Sequence, residues 1–235
     1  MPQSLPVVLV PGLRCSARLY APQIPGLWQF GPVLIANHTQ GTTIGEIATR
    51  ILDTAPQRFA LVGLSMGGYI AFEMLRQAPQ RIARVALLDT SAQPESPEQT
   101  ARRKQHLALT EAGRYDEVTD LQFPLAVHPS RHGDRALRRE YERMGEETGP
   151  EAFVRHQQAI MGRADSRPGL RSIRCPTLVL VGDGDVLTPP DHAREIAAGI
   201  AGAQLVVVPD CGHLSTLERP DEVTKALADW LQSGS

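Results

Sequence analysis

Hydrophobic residues along this chain follow two alternating patterns. Six short runs consist almost entirely of Val, Leu, Ile, Phe and Ala, which is typical of strands buried on both faces of a parallel sheet. They occupy residues 7–10, 33–36, 59–62, 85–88, 177–181 and 205–208. Between most of these runs, apolar side chains recur every three or four positions, as they do on one face of a helix. The alternation predicts an α/β fold with a mostly parallel central sheet flanked by helices.

A different pattern occupies residues 93–173. Charged, helix-prone sequence replaces the strand pattern there. Helices are predicted over residues 98–111, 115–121, 135–147 and 151–161. Polar, Pro-rich residues lead into this stretch, and Arg167-Pro168-Gly169 leads out of it. We therefore predict a helical insertion, residues 93–173, between two strands of a core built from residues 1–92 and 174–235.

The composition narrows the possible partners. The chain has 235 residues and a formal net charge of −2, which offers no general attraction for nucleic acid. Its one basic cluster, Arg102-Arg103-Lys104, is predicted to be a solvated helix face. No apolar run reaches the roughly 20 residues that span a membrane. The N-terminal residues also lack the pattern of a signal peptide. We expect a cytoplasmic protein with neither a nucleic-acid nor a membrane partner.

The cysteines and most of the histidines give no sign of a metal centre. The three cysteines are scattered and odd in number, which favours reduced thiols over a disulfide framework. They are Cys15, Cys175 and Cys211. Five histidines lie in polar or helical stretches without metal-ligand spacing and are predicted to be surface or capping residues. They are His106, His128, His132, His156 and His192. We predict no metal and no cofactor.

Gly63-Leu64-Ser65-Met66-Gly67 is the most informative stretch for chemistry. It follows an apolar run and opens an apolar helical pattern, so the serine is placed in a tight strand-to-helix turn. The glycines allow that turn to close, and the closed turn exposes the serine hydroxyl above the edge of the sheet. The next backbone N–H and the helix N-terminus would then face developing negative charge. This arrangement predicts that Ser65 is a nucleophile.

A nucleophilic serine needs a base, and the base needs an acid that orients it. The carboxyl ends of parallel strands meet at one edge of a sheet, where ligands bind. His213 follows the run at 205–208 and is the candidate base. Asp183 and Asp185 follow the run at 177–181, and Asp89 follows the run at 85–88. All three aspartates are candidate acids, and Asp89 could instead be a structural cap.

Four segments, in this order, resemble the α/β-hydrolase fold family, specifically small cytosolic esterase-like members with a helical cap. The segments are Val10-Pro11-Gly12-Leu13, Gly63-Leu64-Ser65-Met66-Gly67-Gly68, Gly182-Asp183-Gly184-Asp185 with Thr188-Pro189, and Gly212-His213 with Glu218-Arg219-Pro220. The resemblance covers nearly the whole chain. In the family's Gly-x-x-Asp-x-x-x-Pro pattern the catalytic acid is the fourth residue, which implies Asp185 here.

The same resemblance implies an oxyanion hole formed by the backbone N–H groups of Leu13 and Met66. Pro11 stands where the family has a histidine, and the family's first antiparallel hairpin is expected to be absent or much reduced. Residues 37–43 replace the usual Asp-x-x-Gly-x-Gly loop, which places His38 near the active-site edge as a candidate substrate contact. Arg163, near the end of the insertion, is a second candidate substrate contact.

The expected function is that of a serine hydrolase which cleaves a small ester, thioester or lactone through an acyl-enzyme on Ser65. The family also contains carbon–carbon bond hydrolases, enol-lactonases and perhydrolases with the same triad, and the motifs do not separate them. Dehalogenases and epoxide hydrolases are disfavoured because they use an aspartate nucleophile. A non-catalytic member that binds a small ligand is a further alternative. The only expected partner is a small ester-like molecule, and the sequence does not indicate an oligomeric state.

Overall fold

Six strands form one sheet in the computed structural model, which describes residues 4–233. The strands are β1 (Val7–Val10), β2 (Val33–Ile35), β3 (Phe59–Leu64), β4 (Ile82–Leu88), β5 (Thr177–Gly182) and β6 (Gln204–Val208). Their order across the sheet is β2-β1-β3-β4-β5-β6, and every neighbouring pair is parallel. All six predicted strands are therefore confirmed, with ends shifted by up to three residues. The strand order reverses between β1 and β3, and a reversal of this kind opens a crevice at the carboxyl ends of the strands.

Helices connect the strands and cover the sheet. They are α1 (Ile24–Leu27), α2 (Ile44–Thr54), α3 (Met66–Gln77), α4 (Pro97–Glu111), α5 (Tyr115–Ala126), α6 (Arg135–Met161), α7 (Pro190–Gly199), α8 (Ser215–Glu218) and α9 (Pro220–Gln232). Polar residues begin several of them: the Thr43 hydroxyl caps α2, and Asp134 caps α6. No helix within residues 4–233 combines the length and the apolar character needed to cross a membrane.

Alternate residues of each central strand feed two hydrophobic cores, one on each face of the sheet. Val8 and Val10 of β1 pack with α2, α3 and α7, whereas Val7 and Leu9 pack with α1 and α9. Edge strand β6 differs, because Leu205 and Val207 are 38% and 39% exposed. Its near-continuous apolar sequence predicted burial on both faces, which is wrong for this edge.

The segment between β4 and β5 contains helices and turns but no strand, as its sequence predicts. Helices α4, α5 and α6 pack against one another over the carboxyl edge of the sheet. Within α6 the backbone breaks at Gly149, which has a φ of 77° and precedes Pro150. The break separates the two helices predicted at 135–147 and 151–161. The division into a core of 1–92 and 174–235 with an insertion of 93–173 stays a prediction.

Candidate active site

Ser65 occupies the turn between β3 and α3. Its φ of 57° lies in the left-handed region, which a non-glycine residue rarely adopts. The strained backbone is held from both sides: the Ser65 N–H donates to the Leu88 carbonyl at 2.9 Å, and the Thr90 hydroxyl donates to the Ser65 carbonyl at 2.8 Å. Side-chain atoms at Gly63 or Gly67 would collide with backbone carbonyls, which explains the glycines of the predicted turn.

The structure brings Ser65, His213 and Asp185 into one hydrogen-bonded chain. His213 Nε2 lies 2.8 Å from Ser65 Oγ, and His213 Nδ1 lies 2.7 Å from Asp185 Oδ2. Asp185 is fixed in turn by the backbone N–H groups of Leu187 and Thr188, at 2.8 and 3.0 Å, and by the Thr188 hydroxyl at 2.7 Å. The serine, base and acid thus lie in the order of a nucleophile, a proton acceptor and an orienting group.

The other two candidate acids face elsewhere. Asp183 is exposed and accepts the N–H of Cys211 at 3.2 Å. Asp89 is fully buried and accepts the N–H of Gly182 and the hydroxyl of Ser215. Of the three aspartates, Asp185 makes the contact with His213.

Burial and charge set the protonation of this chain. Burial alone would lower the pKa of His213, but the charge and hydrogen bond of Asp185, helped by Asp89 and Glu218, outweigh it and raise that pKa above its usual value. Burial works in the opposite direction on Asp185, yet contact with His213 and the Thr188 hydrogen bonds lower its pKa. These shifts favour the ionised form of Asp185 and the protonated form of His213.

The predicted oxyanion donors are the backbone N–H groups of Leu13, which lines the cavity with Ser65, and of Met66, which follows Ser65 in the chain. Met66 is the first residue of α3, so its N–H belongs to the set that a helix leaves without an intrahelical partner. Leu13 lies beside Gly12, whose carbonyl accepts hydrogen bonds from His38 Nε2 at 3.0 Å and from the Cys15 N–H at 3.1 Å. A trans peptide directs its N–H opposite to its carbonyl. Fixing the Gly12 carbonyl therefore directs the Leu13 N–H away from His38.

His38 and Arg163 do not line the cavity above Ser65. His38 is buried and stacks on His156 with ring centroids 4.6 Å apart. Burial lowers the pKa of His38 to about 4. Arg163 contacts the Glu95 carboxylate and lies over the Tyr69 ring. Hydrogen bonds and packing turn both side chains into the protein, so their predicted contact with substrate is corrected to a structural position. His156 is also fully buried, which corrects its expected surface position.

The cavity lies between the sheet edge and the helices of the 93–173 segment. Its wall is largely apolar near the serine, with Leu13, Leu64, Leu125, Leu187 and Leu214. Helix α4 contributes a polar face, made of Gln99, Arg102, Arg103 and His106. These four positions are spaced i, i+3, i+4 and i+7, so they share one side of the helix.

That polar face corrects two sequence predictions. Arg102 and Arg103 are partly buried in the cavity wall, and of the basic cluster only Lys104 is a solvated residue. His106 is 6% exposed and lines the same wall, whereas a surface or capping position was expected. The i, i+3, i+4, i+7 spacing was visible in the sequence. It does not reveal whether solvent or a cavity lies in front of the face.

Metal binding has no support from the arrangement of side chains. Within residues 4–233 no group of three or more His, Cys, Asp or Glu side chains is placed to hold a metal ion. Cys15 lines the cavity, but burial raises the pKa of its thiol to about 12, so it is a packing residue there.

Comparison with known proteins agrees with this architecture. Residues 7–226 match the model of the alpha/beta hydrolase family. A putative non-heme bromoperoxidase, BpoC, of Mycobacterium tuberculosis is 26% identical over 97% of this chain and 94% of its own length. A malate-bound thermophilic esterase from Thermogutta terrifontis is 29% identical, with a TM-score of 0.86 over 97% of this chain and 89% of its own. The enol-lactonase from Burkholderia xenovorans LB400 is 28% identical, with a TM-score of 0.87 over 97% and 92%.

Proposed function

We propose that this chain, which belongs to the alpha/beta hydrolase family, is a serine esterase that hydrolyses a small carboxylic ester, thioester or lactone through an acyl-enzyme on Ser65. The observation that carries the proposal is the hydrogen-bonded chain from Ser65 Oγ through His213 to Asp185. It lies at the base of a cavity with an apolar wall beside the serine. The likeness to an esterase and an enol-lactonase supports chemistry at an acyl carbon.

In the first half-reaction Ser65 Oγ attacks the carbonyl carbon of the substrate, and His213 Nε2 takes the hydroxyl proton. Asp185 keeps the proton of His213 on Nδ1 and stabilises the imidazolium that forms. The N–H groups of Leu13 and Met66 bind the oxyanion, a contribution of about 3–4 kcal/mol for each donor. When the intermediate collapses, His213 gives its proton to the leaving oxygen or sulfur.

In the second half-reaction water replaces the leaving group. His213 accepts a proton from that water, which attacks the acyl carbon bonded to Ser65 Oγ. The second tetrahedral intermediate collapses, the carboxylic acid leaves, and the proton returns from His213 to Ser65. The half-reactions use the same base and the same two donors, so no cofactor takes part in the proposed cycle.

Labelling with a fluorophosphonate tests the nucleophile directly. Wild-type protein is expected to gain the mass of one phosphonyl group and to hydrolyse short-chain p-nitrophenyl esters, whereas Ser65→Ala does neither. Ser172→Ala removes an exposed serine that does not line the cavity and serves as the matched control, which retains both activities. A wild-type protein that is neither labelled nor active on any ester would contradict the proposal and favour a non-catalytic ligand-binding protein.

A further inference from the structure

One side of the cavity offers hydrogen-bond donors and positive charge, with no acidic side chain. Gln99, Arg102, Arg103 and His106 of α4 line it together with Ser65. The Gln99 carbonyl oxygen is already used, since it accepts the Ser96 N–H at 3.0 Å, which leaves its amide N–H groups as donors. Among the described residues that line this cavity, none is an aspartate or a glutamate. The wall is therefore built for a group that accepts hydrogen bonds.

Arg102 is the residue with an unused charge. It is partly buried, and among residues 4–233 it has neither a hydrogen-bond nor an ion-pair partner. Burial and the neighbouring Arg103 lower the pKa of Arg102 from its usual value, because both disfavour its positively charged form. A guanidinium group stays protonated even so, because its pKa lies far above neutral. An anion beside Arg102 would stabilise this positive charge and offset its repulsion from Arg103.

The nearby carboxylate does not neutralise the wall. Glu95 lies 2.6 Å from the guanidinium of Arg103 and also contacts Arg163. Arg103 donates in addition to Gln157 at 2.8 Å, so its guanidinium is fixed in place. The Glu95 carboxylate thus forms ion pairs with Arg103 and Arg163 and does not contact Arg102. The cluster keeps an excess of positive charge, and its freest member faces the cavity.

His106 adds a neutral donor to the same wall. Gln122 accepts the Tyr141 hydroxyl at 3.0 Å through its carbonyl oxygen, so its amide nitrogen faces His106 Nδ1 at 3.2 Å. The amide donates, Nδ1 accepts, and the ring proton is left on Nε2. Burial and the neighbouring arginines lower the pKa of His106 to about 4, so the ring is neutral at pH 7. It presents an N–H without adding a charge.

We propose that the substrate carries a carboxylate at the end away from the scissile bond, and that Arg102 binds this carboxylate with help from His106. The planar guanidinium matches the two oxygens of a carboxylate, and charge-assisted hydrogen bonds of this kind are strong. The substrate class is accordingly that of half-esters of dicarboxylic acids, esters of hydroxycarboxylic acids, or lactones with a free carboxylate. This inference rests on the proposed esterase function and specifies its substrate.

Matched substrates test the inference in the active protein. Monomethyl esters of succinate to suberate, and acetate esters of hydroxycarboxylic acids of the same lengths, are each compared with the isosteric ester whose carboxylate is a primary amide. In at least one pair the wild type is expected to favour the carboxylate in kcat/KM by roughly 10- to 100-fold. Arg102→Gln should remove most of that preference, and Arg102→Lys should keep part of it. Lys104→Gln, which removes an exposed charge from the same helix, should leave it unchanged. Equal or better turnover of the amides across both series would overturn the inference.

Measuring the binding of dicarboxylates tests this inference independently of the proposed esterase function. Calorimetric titration with succinate, glutarate, adipate and suberate at constant ionic strength needs no catalysis, and the corresponding diamides are the neutral controls. Wild-type protein is expected to bind at least one dicarboxylate more tightly than its diamide, and Arg102→Gln is expected to lose roughly 10-fold or more of that affinity. If Ser65 is not labelled but the dicarboxylate binds through Arg102, the esterase function fails and the anion site stands. If Ser65 is labelled and no dicarboxylate is preferred, only the anion site fails.

Discussion

His213 lies among acidic groups that favour its protonated form. Asp185 contacts Nδ1 at 2.7 Å, and Asp89 and Glu218 add negative charge nearby, so the pKa of His213 is raised above 6.5 despite burial. In the proposed mechanism only the neutral ring of His213 accepts the proton of Ser65. We therefore expect kcat/KM for a neutral ester to fall as pH drops through a value above 6.5. Removing the charge in Asp185→Asn should move this limb to lower pH and reduce kcat by roughly 10³–10⁴-fold.

The loop itself offers a matched control for that prediction. Asp183 is two residues from Asp185 but exposed, and it bonds to the backbone of Cys211 and not to His213. Asp183→Asn is expected to keep both the rate and the position of the acid limb, measured as the pH profile of kcat/KM. A pH profile that shifts equally in both variants would show that the pKa of His213 is set by the negative charge of the loop as a whole, and not by the contact between Asp185 and His213.

At the scale of elements, the turn between β3 and α3 depends on how closely backbones approach. A Cβ on Gly67 would overlap the Val10 carbonyl, and neither β1 nor α3 can move without disturbing the sheet. Gly67→Ala is therefore expected to lower the free energy of unfolding by about 1–3 kcal/mol and to impair the site. Chemical denaturation followed by circular dichroism measures the loss.

Gly133 provides the comparison for the effect of alanine itself. A Cβ there meets nothing within 4 Å, and the residue is exposed in the turn before α6. Gly133→Ala is expected to change the free energy of unfolding by less than about 1 kcal/mol, with any change stabilising, because the unfolded chain loses freedom. Equal destabilisation by the two substitutions would contradict the close-approach explanation.

The strands were predictable because each central strand is buried on both faces, which leaves a continuous apolar run in the sequence. Strand β6 shows the limit of this reasoning, since Leu205 and Val207 are as apolar as central residues yet lie partly exposed at the sheet edge. An apolar run reports strand propensity, while position in the sheet depends on which neighbours pair with it. The short helices α1 and α8 were missed because four residues are too few to show a helical period.

The site was predictable to the extent that it is fixed by strand ends. Ser65 directly follows β3, Asp185 lies three residues after the end of β5 and His213 five residues after the end of β6, so sheet topology brings all three near one edge. The residues of α4 that line the cavity were not predictable in the same way. Arg102 and Lys104 belong to the same basic cluster in the sequence. Only the packing of α4 on α5 and α6 turns Arg102 towards the cavity and Lys104 towards solvent.

At the scale of the whole molecule, three buried neutral histidines lie where the 93–173 segment packs on the core. Two of them, His38 and His156, join the segment to the core, and the third, His106, lines the cavity between them. His156 of α6 stacks on His38 and lies 3.0 Å from the His38 carbonyl through Nε2, while His38 in turn holds the Gly12 carbonyl. His106 faces the cavity from α4. Burial lowers the pKa of His38 and His106 to about 4 and, with the neighbouring ring, that of His156 to about 3. Packing of the helical segment therefore depends on keeping these rings uncharged.

The consequence is a loss of stability in acid whose sign follows from linkage. Between pH 6.5 and about 4 the unfolded chain binds protons at these histidines and the folded protein does not, so the free energy of unfolding falls as pH falls. The raised pKa of His213 acts above pH 6.5 and so lies outside this window. His156→Gln, whose amide can still donate to the His38 carbonyl, should reduce the slope by about 1.4 kcal/mol per pH unit, the value for one proton. His132→Gln replaces an exposed histidine and serves as the matched control for the substitution itself. Denaturant unfolding at pH 7, 6, 5 and 4.5 measures the slope, and a slope that His156→Gln does not change would show that another group binds the protons.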